Sequence, residues 1–363
     1  MFNAAVLRAL DGGSIVERVH VLVAKSALES RPFEQVGSLG KVTVARALAE
    51  RPLRQGRWRE MRRTVGCYVQ LDRIVRSSRS IVCIHLASDN LIGPLWLLLD
   101  RLVRGTRSYV ILHNNAHGVK KSAAIRLLWG TVFRAGVRPV VLARTVYAFY
   151  TDVYPNVRFN FIPHPSYDDA SGWQGDREME SDDQAFLFLG RHGMSSTTGF
   201  LREFIWACSA VRDGNPVTIM TERSMASQVT KIARSAGIQL RMYDWPLEHE
   251  DYYEMVRAAR FVVFPPNAAD RVSASGVHFD AISYCVPIIG PSQGVFRENV
   301  PDSGLSLLYE DAHLDLGRAV RRAVGMSPLE YGKLRSDVAE IRSRGDVTRT
   351  AQRFTHMLME SGQ

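Results

Sequence analysis

The chain has 363 residues, of which 46% are hydrophobic, with 46 Lys+Arg against 37 Asp+Glu and a formal net charge of +9. This is enough apolar material for the cores of two ordinary domains, and the composition excludes a disordered, collagenous or coiled-coil chain. The most apolar stretch, Leu91–Leu99, is nine residues long and contains Gly93-Pro94, well short of the roughly 20 residues that a membrane span needs.

The chain opens on MFNAAVLRAL, which reads as a helix with Asn3 as N-cap and carries no secretory cleavage pattern. Apolar runs rich in β-branched residues then recur at Val19–Val23, Ile81–Leu86, Tyr109–Leu112, Pro139–Leu142 and Phe159–Ile162. Between them lie segments of helical period, Pro94–Val103, Ala123–Phe133 and Val146–Val153. This alternation predicts parallel βαβ units covered on both faces. Residues 166–184 are polar and acidic without period and read as a linker.

The pattern then restarts. Strands are expected at Phe186–Leu189, Val217–Met220, Gln239–Tyr243, Phe261–Phe264 and Pro287–Ile289, and helices at Leu201–Val211, Ala226–Ala236, Glu248–Ala259 and Val277–Tyr284. A charged helical tail follows from Pro328. The predicted fold is α/β, with two doubly wound domains separated by a cleft, residues 1–165 and 185–363. Cys67, Cys83, Cys208 and Cys285 lie far apart with no metal-ligand spacing, and read as buried thiols of a reducing, cytoplasmic compartment.

Charge is divided unevenly. Residues 1–165 hold 25 Lys+Arg against 10 Asp+Glu, whereas residues 166–363 hold 21 against 27. The first half is therefore expected to meet something anionic. The densest stretch, Arg51–Arg63, has six arginines around Trp58 and Met61. It reads either as a solvated helix face or as a contact with anionic lipid, at the inner face of the plasma membrane. No zinc-finger spacing, RNP-type motif or recognition helix supports nucleic acid as a partner.

Two segments carry candidate chemistry. In FLFLGRHGMSSTTG (186–199) a buried strand ends at Gly190, where backbone can approach a ligand closely, and Arg191 follows with a guanidinium suited to phosphate. In FVVFPPNAADRVSASGVHFDAISYCVPIIG (261–290) a strand ends at Pro265-Pro266 and a polar loop reaches Ser275-Gly276, where a helix starts. Amides at Gly276 and Val277 with the helix dipole behind them suit a diphosphate, and Asp280 is placed to accept hydrogen bonds from a ribose. The same residues also read simply as an N-cap and a favourable first-turn acid.

Taken in order, FLFLGR, YYEMVRAARFVVFPP and SGVHFDAISYCVPIIG resemble the carboxyl half of GT-B glycosyltransferases, particularly glycosyltransferase family 4. The resemblance covers Phe186 to about Val324 and, more loosely, the first half. It implies two Rossmann-like domains facing across a cleft and transfer of a sugar from a nucleoside-diphosphate sugar. Arg191 and the amides of Ser275, Gly276 and Val277 would hold the diphosphate, Gly190 and Pro266 would line the donor site, and Asp280 would bind the ribose. In YVILHNNAHG (109–118), His113 would be the catalytic residue near the anomeric centre, with Asn114, His117 and, after another strand, Asp89 on the acceptor side. His164, between two prolines, reads as hinge packing.

Two positions depart from the family pattern. Thr198 stands where a phosphate-binding lysine is common, and Val272 stands eight residues before Asp280, where the family has a glutamate. These keep a non-catalytic nucleotide-sugar-binding relative open as an alternative, beside a sugar-nucleotide epimerase of the same fold. The chain contains no Asp-x-Asp, so no metal and no cofactor beyond the co-substrate are expected. The resemblance further implies retention of anomeric configuration and, with the basic first half, a lipid-linked or polysaccharide acceptor. GT-B domains ordinarily open on a strand before the first helix, and here that opening strand is expected to be missing.

Overall fold

The computed structural model describes residues 19–23, 42–46, 65–66, 69, 73, 76, 82–87, 91–105, 107–112, 115–166, 184–188, 195–211, 217–244, 247, 249–266, 276–299 and 307–360. The chain divides into two compact units, one of Met1–Pro165, Val272–Ala274 and Val347–Gln363, the other of Ser166–Arg271 and Ser275–Asp346. Each is built on parallel strands with intervening helices.

In the first unit, β1 (Val19–Val23) pairs with β2 (Val42–Arg46), Val19 opposite Val42. A second sheet has the order β3 (Val82–Ala87), β4 (Arg107–Leu112), β5 (Arg138–Val141), β6 (Asn160–Phe161), all parallel. Among the described residues no ladder joins β1 to β3. The expectation of a missing opening strand concerns residues before Val19, which lie outside the described residues.

Helix α1 (Ile92–Arg104) follows β3 and stops at Gly105, whose φ of 63° is the left-handed cap that glycine adopts without steric cost. Helices α2 (Ala116–Lys121) and α3 (Ala123–Arg134) follow β4, and α4 (Arg144–Val153) follows β5. Ser122 caps α3 by accepting from the Ile125 amide at 3.3 Å. The inner face of α3 and the segment after α4 build an aromatic core in which Phe133 meets Tyr154 and Phe159 edge-on at 5.3 and 5.6 Å.

The second unit holds β7 (Gln184–Phe188), α5 (Ser195–Ser209), β8 (Val217–Glu222), α6 (Arg223–Ser235), β9 (Gln239–Tyr243), α7 (His249–Ala258) and β10 (Phe261–Val263). It continues through α8 (Gly276–Ser283), β11 (Ile288–Pro291), the single turn α9 (Val295–Glu298), β12 (Leu308–Tyr309), α10 (Ala312–Val324) and α11 (Pro328–Arg344). The sheet order is β12-β11-β10-β7-β8-β9, the doubly wound order in which the chain starts centrally, runs to one edge and returns to complete the other. Every residue of β8 is buried, as a parallel strand covered on both faces requires. Ser327 starts α11 with a full capping box: its hydroxyl accepts from the Glu330 amide while the Glu330 carboxylate accepts from the Ser327 amide at 2.9 Å.

One boundary differs from the sequence expectation. The chain's last helix, α12 (Val347–Glu360), belongs to the first unit and not to the second. Phe354 and Met357 are buried with Tyr109, Ile111, Val140, Leu142 and Ile162, and the Tyr109 hydroxyl donates to the Met357 carbonyl at 3.3 Å. Helical period shows that a face needs covering, but not which sheet covers it. Of the predicted linker, residues 167–183 lie outside the described residues. Just before them, Ser166 donates its amide to the Gly345 carbonyl at 2.7 Å and its hydroxyl to the Arg342 carbonyl at 2.8 Å.

Replacing Phe354 by Ala removes an aromatic side chain from this core and should cost about 3–5 kcal/mol. Hydrogen exchange should accelerate in β4 and β5 while protection in β8 and β10 is unchanged. Equal acceleration in both sheets would contradict the placement of α12.

Candidate functional site

The sheet of the second unit reverses its winding between β7 and β10. At such a switch point the connections leave on opposite faces and open a crevice beyond the carboxyl ends of the two strands. Phe186 pairs with Phe261 across this junction and stacks on it at 5.6 Å, and Phe188 pairs with Val263 at its end. Two hydroxyls pin the strand ends: Tyr243 donates to the Phe188 carbonyl at 3.3 Å, and Tyr309 donates to the Phe264 carbonyl.

Helix α8 begins just beyond β10. Gly276 is exposed at its first position, with open space where a Cβ would be, and Val277 is half-buried behind it. The first turn holds no acid to compete with an anion for its amides. Asp280, half-buried one turn in, accepts from the Tyr252 hydroxyl of α7 at 2.8 Å, which fixes its carboxylate on the side facing α7. Further along the same pair of helices, Tyr253 meets Tyr284 at 5.6 Å and the Arg257 guanidinium lies 4.7 Å over the Tyr284 ring.

The far end of α8 is closed by a Schellman motif. The Val286 amide donates to the Ala281 carbonyl at 2.9 Å and the Cys285 amide to the Ile282 carbonyl at 3.0 Å. Cys285 takes the left-handed conformation at φ 54°, a position usually filled by glycine, and Arg335 donates to its carbonyl at 3.3 Å. The chain thereby turns directly into β11.

Behind the opening of α8 lies His278, fully buried among Phe264, Phe279 and Phe296, with ring centroids at 6.1, 5.2 and 4.8 Å. Among the described residues neither ring nitrogen has a hydrogen-bond partner, and burial pushes the imidazole down to about 3. It is a neutral, tightly packed ring and not an acid–base group at neutral pH.

Of the residues expected at the site, Gly276, Val277 and Asp280 share the opening of α8, and Pro266 is exposed just past β10. His117 is exposed on α2, in the first unit. Gly190 and Arg191, which follow β7, and Ser275, which precedes α8, lie outside the described residues, as do His113 and Asn114 after β4 and Asp89 after β3. Thr198 is buried within α5. His164 is buried, its Nδ1 3.0 Å from the Pro165 carbonyl. Sequence reasoning did not single out Tyr252, the partner of Asp280. Its signal was only its presence in the YYEMVRAAR run.

No family model matches the chain, and no curated protein matches it by sequence. Solved structures do match it along nearly its whole length. HepE of Anabaena, in complex with UDP and glucose, superposes with a TM-score of 0.61 at 11% identity, over 98% of this chain and 96% of its own. A glycosyltransferase of Rickettsia africae gives 0.65 at 8% identity, over 99% and 94%. The N-terminal domain of a Candida albicans trehalose-6-phosphate phosphatase gives 0.65 at 11%, over 99% and 94%.

Because His278 is neutral when folded and titrates near its ordinary value when unfolded, the unfolded chain binds the extra proton below about pH 6.5. Stability should therefore be fully present above that pH and fall as pH drops toward 3. His278→Phe should flatten this decline, saving about 2–3 kcal/mol between pH 7.5 and 4.5 in urea unfolding. An unchanged acid slope would show that the ring accepts a proton in place. Likeness at such low identities is likeness of fold, and the fold is GT-B, two Rossmann-like units in one chain.

Proposed function

We propose that the protein is a nucleotide-sugar-dependent glycosyltransferase related to family 4, with its donor site in the second unit. The observation that carries this reading is the opening of α8 beyond the β7–β10 switch point, with exposed Gly276 at its head and Asp280 held by Tyr252 behind it. Supporting it, HepE shares the fold and has been solved with UDP-glucose.

In the reaction, the bond between the anomeric carbon and the diphosphate oxygen breaks, and negative charge collects on the leaving nucleoside diphosphate. The amides of Ser275, Gly276 and Val277 and the Arg191 guanidinium meet that charge, stabilising it most in the transition state. Asp280 accepts hydrogen bonds from the ribose, Gly190 brings bare backbone to the donor, and Pro266 lines the donor site. His113 lies at the sugar, with Asn114, His117 and Asp89 on the acceptor side. Transfer proceeds with retention and without a metal, to a lipid-linked or polysaccharide acceptor, at the cytoplasmic face of a membrane.

A second reading, a relative that binds nucleotide sugars without turning them over, is favoured by Thr198. At the place of the family's lysine the chain has a short side chain buried in α5. The two readings share the donor site and differ in turnover.

A thermal-shift panel of nucleoside diphosphates and their sugars should raise the melting temperature with one base, by mass action. Arg191→Ala should weaken that ligand by about 1.5–3 kcal/mol, the range of a charge-assisted hydrogen bond. Tyr252→Phe should weaken it less, because it loosens Asp280 without removing it. Sugar transfer should persist in EDTA. A loss of transfer in chelator restored by Mg²⁺ or Mn²⁺ would overturn the metal-free mechanism, and binding without transfer to any acceptor would favour the second reading.

A further inference from the structure

Helix α1 (Ile92–Arg104) buries one face that includes a carboxylate and exposes another that is wholly apolar. Gly93, Pro94, Leu97 and Asp100 are buried. Asp100 accepts from the Ser108 hydroxyl at 3.3 Å, and Arg101 donates to the carbonyls of Ala135 and Gly105 at 3.0 and 2.8 Å. On the opposite face Leu95, Leu99, Leu102 and Val103 are 44%, 60%, 68% and 74% exposed, continued before the helix by Leu91 at 56%. At 100° per residue these five fall within one stripe about 120° wide, and none of them is polar. Scattered exposed leucines are ordinary, but a contiguous stripe running the length of a helix marks a contact surface.

The stretch of chain that carries the stripe is basic. Helix α3 packs beside α1 and exposes Leu127, Arg126 and Arg134, while α2 ends in exposed Lys120 and Lys121. Residues 91–165 hold ten Lys+Arg but only two Asp+Glu, Asp100 and Asp152, the first of them buried. A second copy docking on the same face would bring cations against cations. An apolar stripe on so basic a stretch of chain complements an anionic bilayer: the side chains enter the acyl boundary and nearby cations meet headgroup phosphates. A helix of 13 residues is too short to span, so it would lie in the plane of the interface.

We propose that the outward face of α1 is the surface by which the protein adsorbs to an anionic lipid bilayer. The inference extends the proposed function and rests on it for the identity of a lipid-linked acceptor, not for the lipid contact itself. It places the apolar anchor on α1, separate from the arginines of Arg51–Arg63, which lie outside the described residues.

The test is co-sedimentation of the full chain with phosphatidylcholine vesicles, with and without phosphatidylglycerol, at low and high salt. The wild-type protein should sediment with the anionic vesicles, less so at high salt, and weakly with the neutral ones. The triple variant Leu95→Ser, Leu99→Ser, Leu102→Ser changes only outward side chains and should partition at least about tenfold less. Lys120→Glu with Lys121→Glu should weaken binding to anionic vesicles alone. Equal sedimentation of the triple variant and the wild type would overturn the proposal. So would loss of binding only on charge reversal at Arg54, Arg59 and Arg62, or light scattering that shows a dimer abolished by the serines in a protein that does not bind vesicles. Melting shifts with nucleoside diphosphates, measured without lipid, report separately on the glycosyltransferase reading.

Discussion

The pairing of β7 with β10 is the constraint on which the second unit depends. These strands are adjacent in space but separated in sequence by β8, β9 and three helices, so the sheet must be wound outward and then restarted beside its own first strand. Phe186, Phe188, Phe261 and Val263 are all fully buried at that seam, each worth about 1.5–3 kcal/mol relative to exposure. Arg260, just before β10, locks the seam to α11: its guanidinium lies 4.9 Å over the Tyr331 ring and donates to the Met326 carbonyl at 2.9 Å. The Tyr331 hydroxyl in turn donates to the Arg260 carbonyl at 2.9 Å. A seam held this rigidly leaves the strand ends, and the amides that open α8, in one place relative to each other.

What surrounds α8 follows from the same economy of placement. A Schellman turn at its end and the Tyr252–Asp280 hydrogen bond at its middle hold the helix without placing an acid in its first turn. His278 fills the space behind the opening with a ring that gives up its hydrogen bonds to do so, a cost of order 1–3 kcal/mol. The structure tolerates that loss where the aromatic cluster of Phe264, Phe279 and Phe296 is tightest.

Much of this architecture was legible in the sequence, because parallel strands covered on both faces leave unbroken apolar runs such as Tyr109–Leu112 and Phe261–Phe264. Short edge strands were not: β12 pairs over two residues and gives no period to detect. The opening of α8 at Gly276 was legible from its turn chemistry, whereas the partner of Asp280 was not, since Tyr252 lies 28 residues away and meets it only through the packing of α7 on α8. Nor could period alone assign α12 to the first unit. The run Leu91–Leu99 shows the same limit from the other side: sequence reveals that it is apolar and too short to span a bilayer, but only the fold shows that Leu91, Leu95 and Leu99 face outward while Leu97 is buried.

The central claim is that a nucleoside diphosphate sits beyond β7 and β10, on the amides that open α8. Hydrogen exchange read by mass spectrometry, with and without the nucleoside diphosphate that stabilises the protein most, tests it directly. Peptides spanning 189–199 and 264–281 should gain protection together, with β9 and the first unit's β4 unchanged. Protection confined to the first unit, or none in the peptide that contains Gly276, would contradict the account.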